Sequence, residues 1–354
     1  MWLEYCKQPR MLLPPILMLV MPDSTMTAQV IDRFGDTSVF TTRTVDRPEI
    51  EPGHVVVRVE ATSVNPIDYK MRRGDHEEIT PIFPAVLHGD VAGVVERVAE
   101  DVTAFKPGDE VYGCAGGVAG TGGALAEFML ADADLLAQKP TSLSMGEAAA
   151  LPLVSITAWD GLIDRATVGP DQTVLVHGAT GGVGHIGIQL AKHAGATVYT
   201  TASSEKKLDK GTELGADTGI NYQNQDVEAY VDGYTDGRGF DIVFDTVGDE
   251  NIDRSLKAAA LKGHVVTTMS LSTHNLSLMF EKGLGLEVVF MLIPMLHGIG
   301  RARHGEILAE VAKLVDAGEV RPLLDSQSYS FEEIGAAHQR AVSNERIGKV
   351  TVTR

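Results

Sequence analysis

Apolar and polar residues alternate in short runs along the first part of the chain, where Gly and Pro separate the runs. HVVVRVEATSV (54–64) alternates over half its length, and DVAGVVERV (90–98) and DEVYG (109–113) show a similar pattern around the turn FKPGD. Such alternation is typical of half-buried strands. The glycine-rich stretch 113–127 is typical of a loop. Residues 26–135 are therefore predicted to be mostly β, with many turns.

From about residue 145 onward, continuous apolar runs alternate with amphipathic segments. Buried strands separated by helices predict a parallel sheet that is covered on both faces. The expected strands are 173–178, 197–202, 240–248, 264–270, 286–292 and a last one at 348–352, and the expected helices are 145–162 (interrupted at Pro152), 185–195, 205–215, 304–319 and 331–343.

The composition is that of a globular protein of two domains. The chain has 354 residues, of which 44% are apolar and 22% charged. With 30 basic and 48 acidic residues the net charge is −18, which argues against nucleic acid as a partner. The two cysteines, Cys6 and Cys114, cannot form a disulfide framework or a four-thiolate zinc site. They fit a reducing cytoplasm.

The first residues differ from the rest. MLLPPILMLVM (11–21) is apolar and follows Lys7 and Arg10. It is shorter than the roughly 20 residues that span a bilayer, and two prolines interrupt it. Residues 1–25 are predicted to be a disordered extension or a misplaced translation start, with a secretion signal and a membrane anchor as less favoured alternatives. No membrane partner is expected, and the fold is expected to begin at Met26.

The strongest motif is a strand that runs into a glycine-rich turn, a helix and a second strand, TVLVHGATGGVGHIGIQLAKHAGATVYTTA. Glycines let the backbone approach a pyrophosphate, and the helix N-terminus offers unpaired N–H groups to it. Gly182-x-Gly184-x-x-Gly187 matches the dinucleotide fingerprint literally, but Ala179-x-Gly181-x-x-Gly184 lies where the turn must be and is preferred. The candidate pyrophosphate-binding residues are Ala179, Thr180, Gly181, Gly182, Val183 and Gly184.

The end of the second strand indicates which dinucleotide binds. An NAD-binding protein normally has an acid there, which bonds the ribose 2′-hydroxyl. Here Ala202 holds that position, and Ser203, Ser204, Lys206 and Lys207 follow it. Hydroxyls and a cation, above all Lys207, suit a 2′-phosphate, so NADPH is the expected cofactor. The alternative is that both lysines are solvated helix residues.

Together these motifs resemble the medium-chain dehydrogenases/reductases, on the side of the zeta-crystallin-like quinone oxidoreductases and enone reductases. The resemblance covers residues 26–354. The matching segments are SVNPIDYKMRRG (63–74), HGDVAGVVERV (88–98), FKPGDEVYG (105–113), AAALPLVSITAWDGL (148–162), HGATGGVG (177–184), GADTGINY (215–222), FDIVFDTVG (240–248) and GKVTV (348–352).

The resemblance implies an α/β fold with two domains. A GroES-like β-rich catalytic domain would span 26–150 and be completed by 291–354, and a Rossmann NADP-binding domain would span 151–290. It also implies a homodimer. Hydride would pass from NADPH to a quinone or an α,β-unsaturated carbonyl. The alternative from another class is an NADPH-binding redox sensor or structural protein with little turnover.

The ligands of the zinc-dependent alcohol dehydrogenases in this superfamily are replaced. VNPID stands at the first cysteine, Gly89 at the ligand histidine, and Leu153 near the second cysteine. His88 is expected to be a pocket-wall or structural histidine. No metal is predicted, and a zinc alcohol dehydrogenase is the least favoured reading.

Without a metal, the site is better suited to conjugated acceptors, because the charge that hydride transfer creates spreads over the conjugated system. The resemblance places Asn65 and Lys70 beside the nicotinamide as the candidate catalytic residues, with the alternative that Lys70 only binds cofactor. Further cofactor contacts implied by the resemblance are Thr157, Tyr222, Thr246, Val247, Gly248, Thr268, Met269, Ser270 and Lys349.

Overall fold

The computed structural model describes residues 24–354, in which three sheets form. Strands β1 and β2 form a hairpin, six strands form a parallel sheet, and seven more lie in a mixed sheet. The strands are β1 (Thr25–Ile31), β2 (Phe40–Asp46), β3 (His54–Ser63), β4 (Asp90–Val98), β5 (Glu110–Cys114), β6 (Phe128–Asp132), β7 (Leu136–Gln138), β8 (Thr173–His177), β9 (Thr197–Ala202), β10 (Thr218–Asn221), β11 (Phe240–Asp245), β12 (Ala259–Thr267), β13 (Gly285–Val288), β14 (Tyr329–Ser330) and β15 (Thr351–Thr353).

Eleven α-helices lie between these strands in the described part of the chain. Local chemistry sets several of their ends, because side chains near a helix start satisfy its unpaired N–H groups. The helices are α1 (Pro66–Arg73), α2 (Met145–Ala149), α3 (Pro152–Trp159), α4 (Gly182–His193), α5 (Glu205–Glu213), α6 (Val227–Thr235), α7 (Asn251–Ala258), α8 (Ser277–Lys282), α9 (Ile293–His297), α10 (Ala302–Asp316) and α11 (Ile334–Ala341).

The parallel sheet has the order β10-β9-β8-β11-β12-β13, with β8 in the middle. Val174 and Val176 of β8 belong to the larger apolar core, and Leu175 belongs to a second core on the opposite face. Apolar side chains on both faces explain why this strand has a continuous apolar sequence. The predicted parallel sheet, with helices on both faces, is confirmed.

The seven-stranded sheet joins segments from both ends of the described chain. β3 pairs with β4 and β6, and β15 pairs antiparallel with β3, with Thr351 opposite Ser63. Every strand of the parallel sheet therefore lies, in sequence, between members of this mixed sheet. The domain limits 150 and 290 stay predictions, but the sheet connectivity has the discontinuous form that was expected.

A few predicted elements differ from the structure. Residues 1–23 lie outside the described part of the chain, and β1 already begins at Thr25 rather than at Met26. The expected strand 286–292 ends at Val288, and α9 begins at Ile293 with Pro294 in its first turn. The helix predicted from 145 divides before Pro152, as expected, and a π-helical turn follows at Asp160–Arg165. Between residues 24 and 354 no helix is long and apolar enough to cross a membrane.

Candidate functional site

The glycine-rich turn connects β8 to α4 at the carboxyl edge of the parallel sheet. The N–H of Gly181 donates to the carbonyl of Gly178 at 2.9 Å, and Gly178 has a φ of +85°. A Cβ on Gly184 would lie 2.1 Å from the Gly178 carbonyl oxygen. A residue with a side chain therefore cannot replace Gly184 without moving the turn. This close packing of helix on strand favours the fingerprint that ends at Gly184.

The N-terminus of α4 is left open for an anion. Its N-cap residue is Gly181, which has no side chain to bond the first N–H groups of the helix. Those groups and the positive end of the helix dipole point out of the turn, an arrangement that binds phosphate. The helix is twelve residues long, so its dipole is well developed.

Most predicted cofactor residues follow the carboxyl ends of neighbouring parallel strands, so the structure brings them to one edge of the sheet. Thr246 and Thr268 lie close together there, because the N–H of Thr268 donates to the carbonyl of Asp245 at 3.1 Å. The residues at this edge are Ala179, Thr180, Gly181, Gly182, Val183 and Gly184 after β8, Ser203, Ser204 and Lys207 after β9, Tyr222 after β10, Thr246, Val247 and Gly248 after β11, and Thr268, Met269 and Ser270 after β12.

The side chains after β9 differ in orientation. Ser203 and Ser204 are half-buried, and Lys206 is exposed to solvent. The Lys207 ammonium instead donates to the carbonyl of Asn344 at 3.1 Å. Of the two lysines, only Lys207 therefore lies between the end of β9 and the C-terminal segment.

A buried polar network lies beneath the turn and is centred on Asp90. Its Oδ2 accepts from the Ser63 hydroxyl and the Asn65 amide, both at 2.7 Å, and its Oδ1 accepts from the backbone N–H of Leu153 at 2.9 Å. The Lys349 ammonium lies 3.6 Å from Oδ2 and donates to the Asn65 carbonyl oxygen at 2.5 Å. Burial lowers the pKa of Lys349, and the Asp90 charge acts against that shift.

This network changes the interpretation of two predicted residues. Asn65 is 1% exposed, and both ends of its amide are bonded to protein groups. Lys349 is 2% exposed, and its Cδ lies 3.3 Å from the position of a Cβ on Gly182. The structure therefore places the stem of Lys349 beneath the turn and directs its ammonium away from it. The catalytic role of Asn65 stays a prediction.

Asp68 completes the N-cap of α1, where its Oδ2 accepts from the N–H of Asn65 at 2.7 Å. Its side chain is fully buried, and its Oδ1 has no hydrogen-bond partner in the described part of the chain. Burial, together with the nearby Asp90, raises the pKa of Asp68 to about 8. Asp68 is therefore mostly protonated at neutral pH, which avoids a second buried negative charge beside Asp90.

Lys70 has a different environment on the same helix. Its side chain is half-buried, and its ammonium has no hydrogen-bond or ion-pair partner among residues 24–354. Thr157, in contrast, is buried, and its hydroxyl donates to the Leu153 carbonyl at 2.7 Å. Of these two predicted residues, Lys70 has the polar group that remains available to a ligand.

The donors around Gly89 do not suit a metal ion. A Cβ on Gly89 would lie 3.0 Å from the Cys114 sulfur, but burial and the neighbouring carboxyl groups raise the pKa of this thiol. His88 bonds Thr62 through Nδ1 at 3.2 Å and His338 through Nε2 at 2.9 Å, so both nitrogens are engaged, as a structural histidine requires. Within residues 24–354 no group of three or more His, Cys, Asp or Glu side chains could hold a metal.

Two acids of the site were not singled out from the sequence. Asp245 ends β11, fully buried, and its Oδ1 accepts from the N–H groups of Val247 and Gly248 at 3.0 and 2.9 Å. It thereby shapes the turn that contains three predicted cofactor residues. The signal was an acid that ends an apolar strand, FDIVFD. The signal for Asp90 was the acid of HGD, which begins the alternating run.

A parallel sheet, a glycine-rich turn at a helix N-terminus and a β-rich sheet completed by the C-terminal strand together define a two-domain dinucleotide-dependent oxidoreductase. Known proteins agree. Two family models match, "Alcohol dehydrogenase GroES-like domain" over residues 51–141 and "Zinc-binding dehydrogenase" over residues 182–286.

Three relatives illustrate the similarity. The 2-methylene-furan-3-one reductase of Solanum lycopersicum is 33% identical over 311 residues, which is 86% of this chain and 73% of that protein. The chloroplastic NADPH-dependent alkenal/one oxidoreductase of Arabidopsis thaliana is 32% identical over 311 residues, which again cover 86% of this chain and 73% of that protein. An alcohol dehydrogenase superfamily protein of Novosphingobium aromaticivorans, known from its crystal structure, has a TM-score of 0.89 and 41% identity, covering 93% of this chain and 100% of that one. The chain belongs to the medium-chain dehydrogenases/reductases, in the family of quinone and enone oxidoreductases.

Proposed function

We propose that the protein is an NADPH-dependent reductase that transfers hydride to α,β-unsaturated carbonyls or quinones without zinc. The observation that carries this proposal is the half-buried side chain of Lys70, whose ammonium has no partner among residues 24–354. Lys70 lies four residues beyond the start of α1, which begins at the Asn65 network. A free cation at this place can stabilise negative charge on an acceptor oxygen. The relatives named an alkenal/one oxidoreductase and a furanone reductase support the same acceptor class.

The cofactor would lie along the carboxyl edge of the parallel sheet. The pyrophosphate fits the open N-terminus of α4, and Ser203, Ser204 and Lys207 suit a 2′-phosphate. Tyr222 and Val247 are exposed side chains at this edge, and the ring of Tyr222 suits one face of the adenine. Bound NADPH supplies the hydride from C4 of its nicotinamide.

The protein's own residues would then act on the acceptor. Hydride adds to the β-carbon of the enone, and the electron pair of the C=C bond moves towards the carbonyl oxygen. The Lys70 ammonium donates a hydrogen bond to that oxygen, which stabilises the enolate. A proton from Lys70 or from water then adds to the α-carbon. The acceptor has thereby gained one hydride and one proton, and it leaves as the saturated ketone.

Zinc independence rests on the residues around Asp90. The Lys349 ammonium already provides the positive charge that faces this carboxylate, at 3.6 Å, and three hydrogen bonds fill the rest of its coordination. A zinc ion would need deprotonated Cys, neutral His or free carboxylate donors. No step of the proposed reaction therefore passes through a metal.

The proposed partners are small molecules, and the proposed compartment is the cytoplasm. The net charge of −18 opposes binding to phosphate backbones. A chain with two cysteines, of which Cys114 is a buried free thiol, suits a reducing environment.

One set of assays tests the function. NADPH oxidation is followed with 3-penten-2-one, 1,4-benzoquinone and 9,10-phenanthrenequinone, and the metal content of the purified protein is measured. Turnover with the enone or a quinone, at substoichiometric zinc, is the expected result. Stoichiometric zinc, or ethanol oxidation with NAD, would identify an alcohol dehydrogenase instead. Tight NADPH binding without turnover on any acceptor would favour the redox sensor.

Replacing Lys70 with Met should lower kcat for the enone by about 100-fold, since general acid catalysis typically contributes at least that factor. Lys70→Arg, which keeps the charge, should recover a measurable part of it, and the Kd for NADPH should stay within a factor of about three. The exposed Lys106 provides the matched control Lys106→Met. If the Kd rises while kcat is unchanged, Lys70 only binds cofactor and the catalytic assignment is wrong.

We also propose a homodimer through the free edge of the parallel sheet. β13 pairs only with β12 in the described sheet, and Val288 and Phe290 beside its open edge are 42% and 46% exposed. An apolar unpaired edge favours pairing with a second copy. Val288→Lys should convert the dimer to a monomer in light scattering, while Ile82→Lys at another exposed apolar position should not. A monomeric wild type would contradict the proposal.

A further inference from the structure

The segment that precedes β15 runs along the phosphate-binding turn. The N–H of Gly348 donates to the carbonyl of Thr180, inside the turn, at 3.0 Å. Four residues earlier, the carbonyl of Asn344 accepts from the Lys207 ammonium at 3.1 Å. Residues 344–348 therefore extend from the expected 2′-phosphate position to the turn that would hold the pyrophosphate.

Arg346 is the cation in this segment, and it has no acidic partner. Its guanidinium is half-buried and makes one hydrogen bond, from Nη1 to the Gly348 carbonyl at 3.3 Å. Asp325 is close, but Arg340 holds both of its oxygens at 3.0 Å. In the described chain, no carboxylate lies within ion-pair distance of Arg346.

Burial lowers the pKa of Arg346, and the nearby groups act on it in both directions: Tyr69 and Asp325 favour its charge, whereas Arg340 opposes it. The Nη1 of Arg346 bonds the carbonyl of Gly348, whose N–H is bonded to the turn, so the guanidinium lies beside the residue that joins this segment to the turn. His185 belongs to the first turn of α4 and bonds the Gly181 carbonyl through Nδ1 at 3.0 Å. A partly desolvated guanidinium that has no carboxylate at ion-pair distance among the described residues, and that lies close to a helix N-terminus, favours the binding of an anion.

We propose that Arg346 binds the pyrophosphate of the dinucleotide, together with the N–H groups at the start of α4. The inference rests on the proposed NADPH-dependent function and adds a residue that no fingerprint motif contains. Arg346 is linked to the turn through Gly348, whereas Lys207 lies at the other end of the segment. The two cations therefore serve different phosphates. A guanidinium also suits two phosphate oxygens, because its N–H groups form a planar fork.

Fragments of the cofactor separate the two phosphates. Binding of NADPH, NADH, ADP and adenosine 2′-monophosphate is measured by calorimetry for the wild type, Arg346→Gln and Lys207→Gln. Arg346→Gln should weaken NADPH, NADH and ADP by a common factor of about 10 to 100, and leave adenosine 2′-monophosphate unchanged. Lys207→Gln should weaken NADPH and adenosine 2′-monophosphate only. Arg238→Gln and Lys106→Gln, at exposed positions, are the matched controls.

The outcomes are distinct. Loss of adenosine 2′-monophosphate binding in Arg346→Gln would reassign the residue to the 2′-phosphate, and unchanged ADP binding would remove it from the site. A wild type that binds neither NADPH nor NADH would instead reject the proposed function. If Arg346→Gln fails to fold, Arg346→Lys replaces it. That variant keeps the charge but loses the fork, so it should weaken ADP by about 3 to 10-fold and leave adenosine 2′-monophosphate unchanged.

Discussion

Lys349→Met should destabilise the folded protein by about 3–5 kcal/mol, which is the usual cost of removing one partner of a buried ion pair. The ammonium is 2% exposed, and it neutralises Asp90 and donates to Asn65. Without it, the Asp90 carboxylate would remain buried beside Cys114 with no cation close to it. Unfolding in urea at pH 7 measures the change, and Lys106→Met at an exposed position should change stability by less than about 0.5 kcal/mol.

A double-mutant cycle shows whether the charge itself is the cause. Asp90→Asn should also be destabilising, because it removes the charge that Lys349 faces. The double variant should be more stable than the sum of the two single changes predicts, by at least about 1 kcal/mol, because it contains no unpaired buried charge. Additive effects would mean that the two residues contribute through packing alone.

Acid should destabilise the protein steeply below about pH 6.5. Burial lowers the pKa of His88 to about 3, and it lowers that of His338 well below the ordinary value, with the charges of Arg72 and Arg73 adding to the shift. Both histidines are then neutral in the folded state, whereas the unfolded chain binds protons from pH 6.5 downwards. Each of the two histidines therefore lowers the free energy of unfolding by at most about 1.4 kcal/mol for every pH unit of acidification.

The hydrogen bonds of this histidine pair explain why it stays neutral. Thr62 donates its hydroxyl proton to the Asp90 carbonyl at 2.6 Å, so it accepts from Nδ1–H of His88. Nε2 of His88 then accepts from Nε2–H of His338. The chain of bonds ends at Nδ1 of His338, a lone pair without a partner in the described residues. A proton on either ring would place two N–H donors against each other or bury a charge.

Other buried titratable groups also contribute to the dependence of stability on pH. Burial also lowers the pKa values of His177, His185 and His304, to about 4 for the latter two, so they act in the same direction. Asp68 acts oppositely, since its pKa of about 8 means that the folded state holds a proton that the unfolded chain loses above pH 4. The buried histidines outnumber Asp68, so the net free energy of unfolding falls as the pH falls.

Urea unfolding between pH 5 and 8 tests this prediction. His338→Phe should reduce the slope of the unfolding free energy against pH by about 1.4 kcal/mol per pH unit, because the unfolded chain then binds one proton fewer. His297 is exposed, so His297→Gln should leave the slope as it is in the wild type. An equal slope in wild type and His338→Phe would show that His338 is already charged when folded.

The sequence predicted the elements that carry their own periodicity. β4 and β9 have the bounds that were expected, 90–98 and 197–202, because each is an uninterrupted run between clear turns. α1 was not predicted, since it is eight residues long, mostly polar, and begins at the proline of an Asn-Pro pair. Its start is set by a capping box, in which the Asp68 carboxylate accepts from the Asn65 N–H.

The site was less predictable wherever residues distant in sequence meet. Asn65 was expected beside the nicotinamide and Lys349 as a cofactor contact. Their bond across 284 residues, and the role of Asp90 between them, depend on how β15 returns to β3. Arg346 lies outside every sequence motif of the cofactor site. Its position follows from the Gly348 bond to the turn, which no local pattern encodes.

The return of β15 to β3 also determines the order in which the molecule can assemble during synthesis. All strands of the parallel sheet leave the ribosome before Thr351, the partner of Ser63, has been made. The nucleotide-binding half can therefore fold on the nascent chain, whereas the edge of β3 that β15 covers stays unpaired until residues 351–353 have been made. Early termination would expose that edge, so shortened products should aggregate or depend on chaperones.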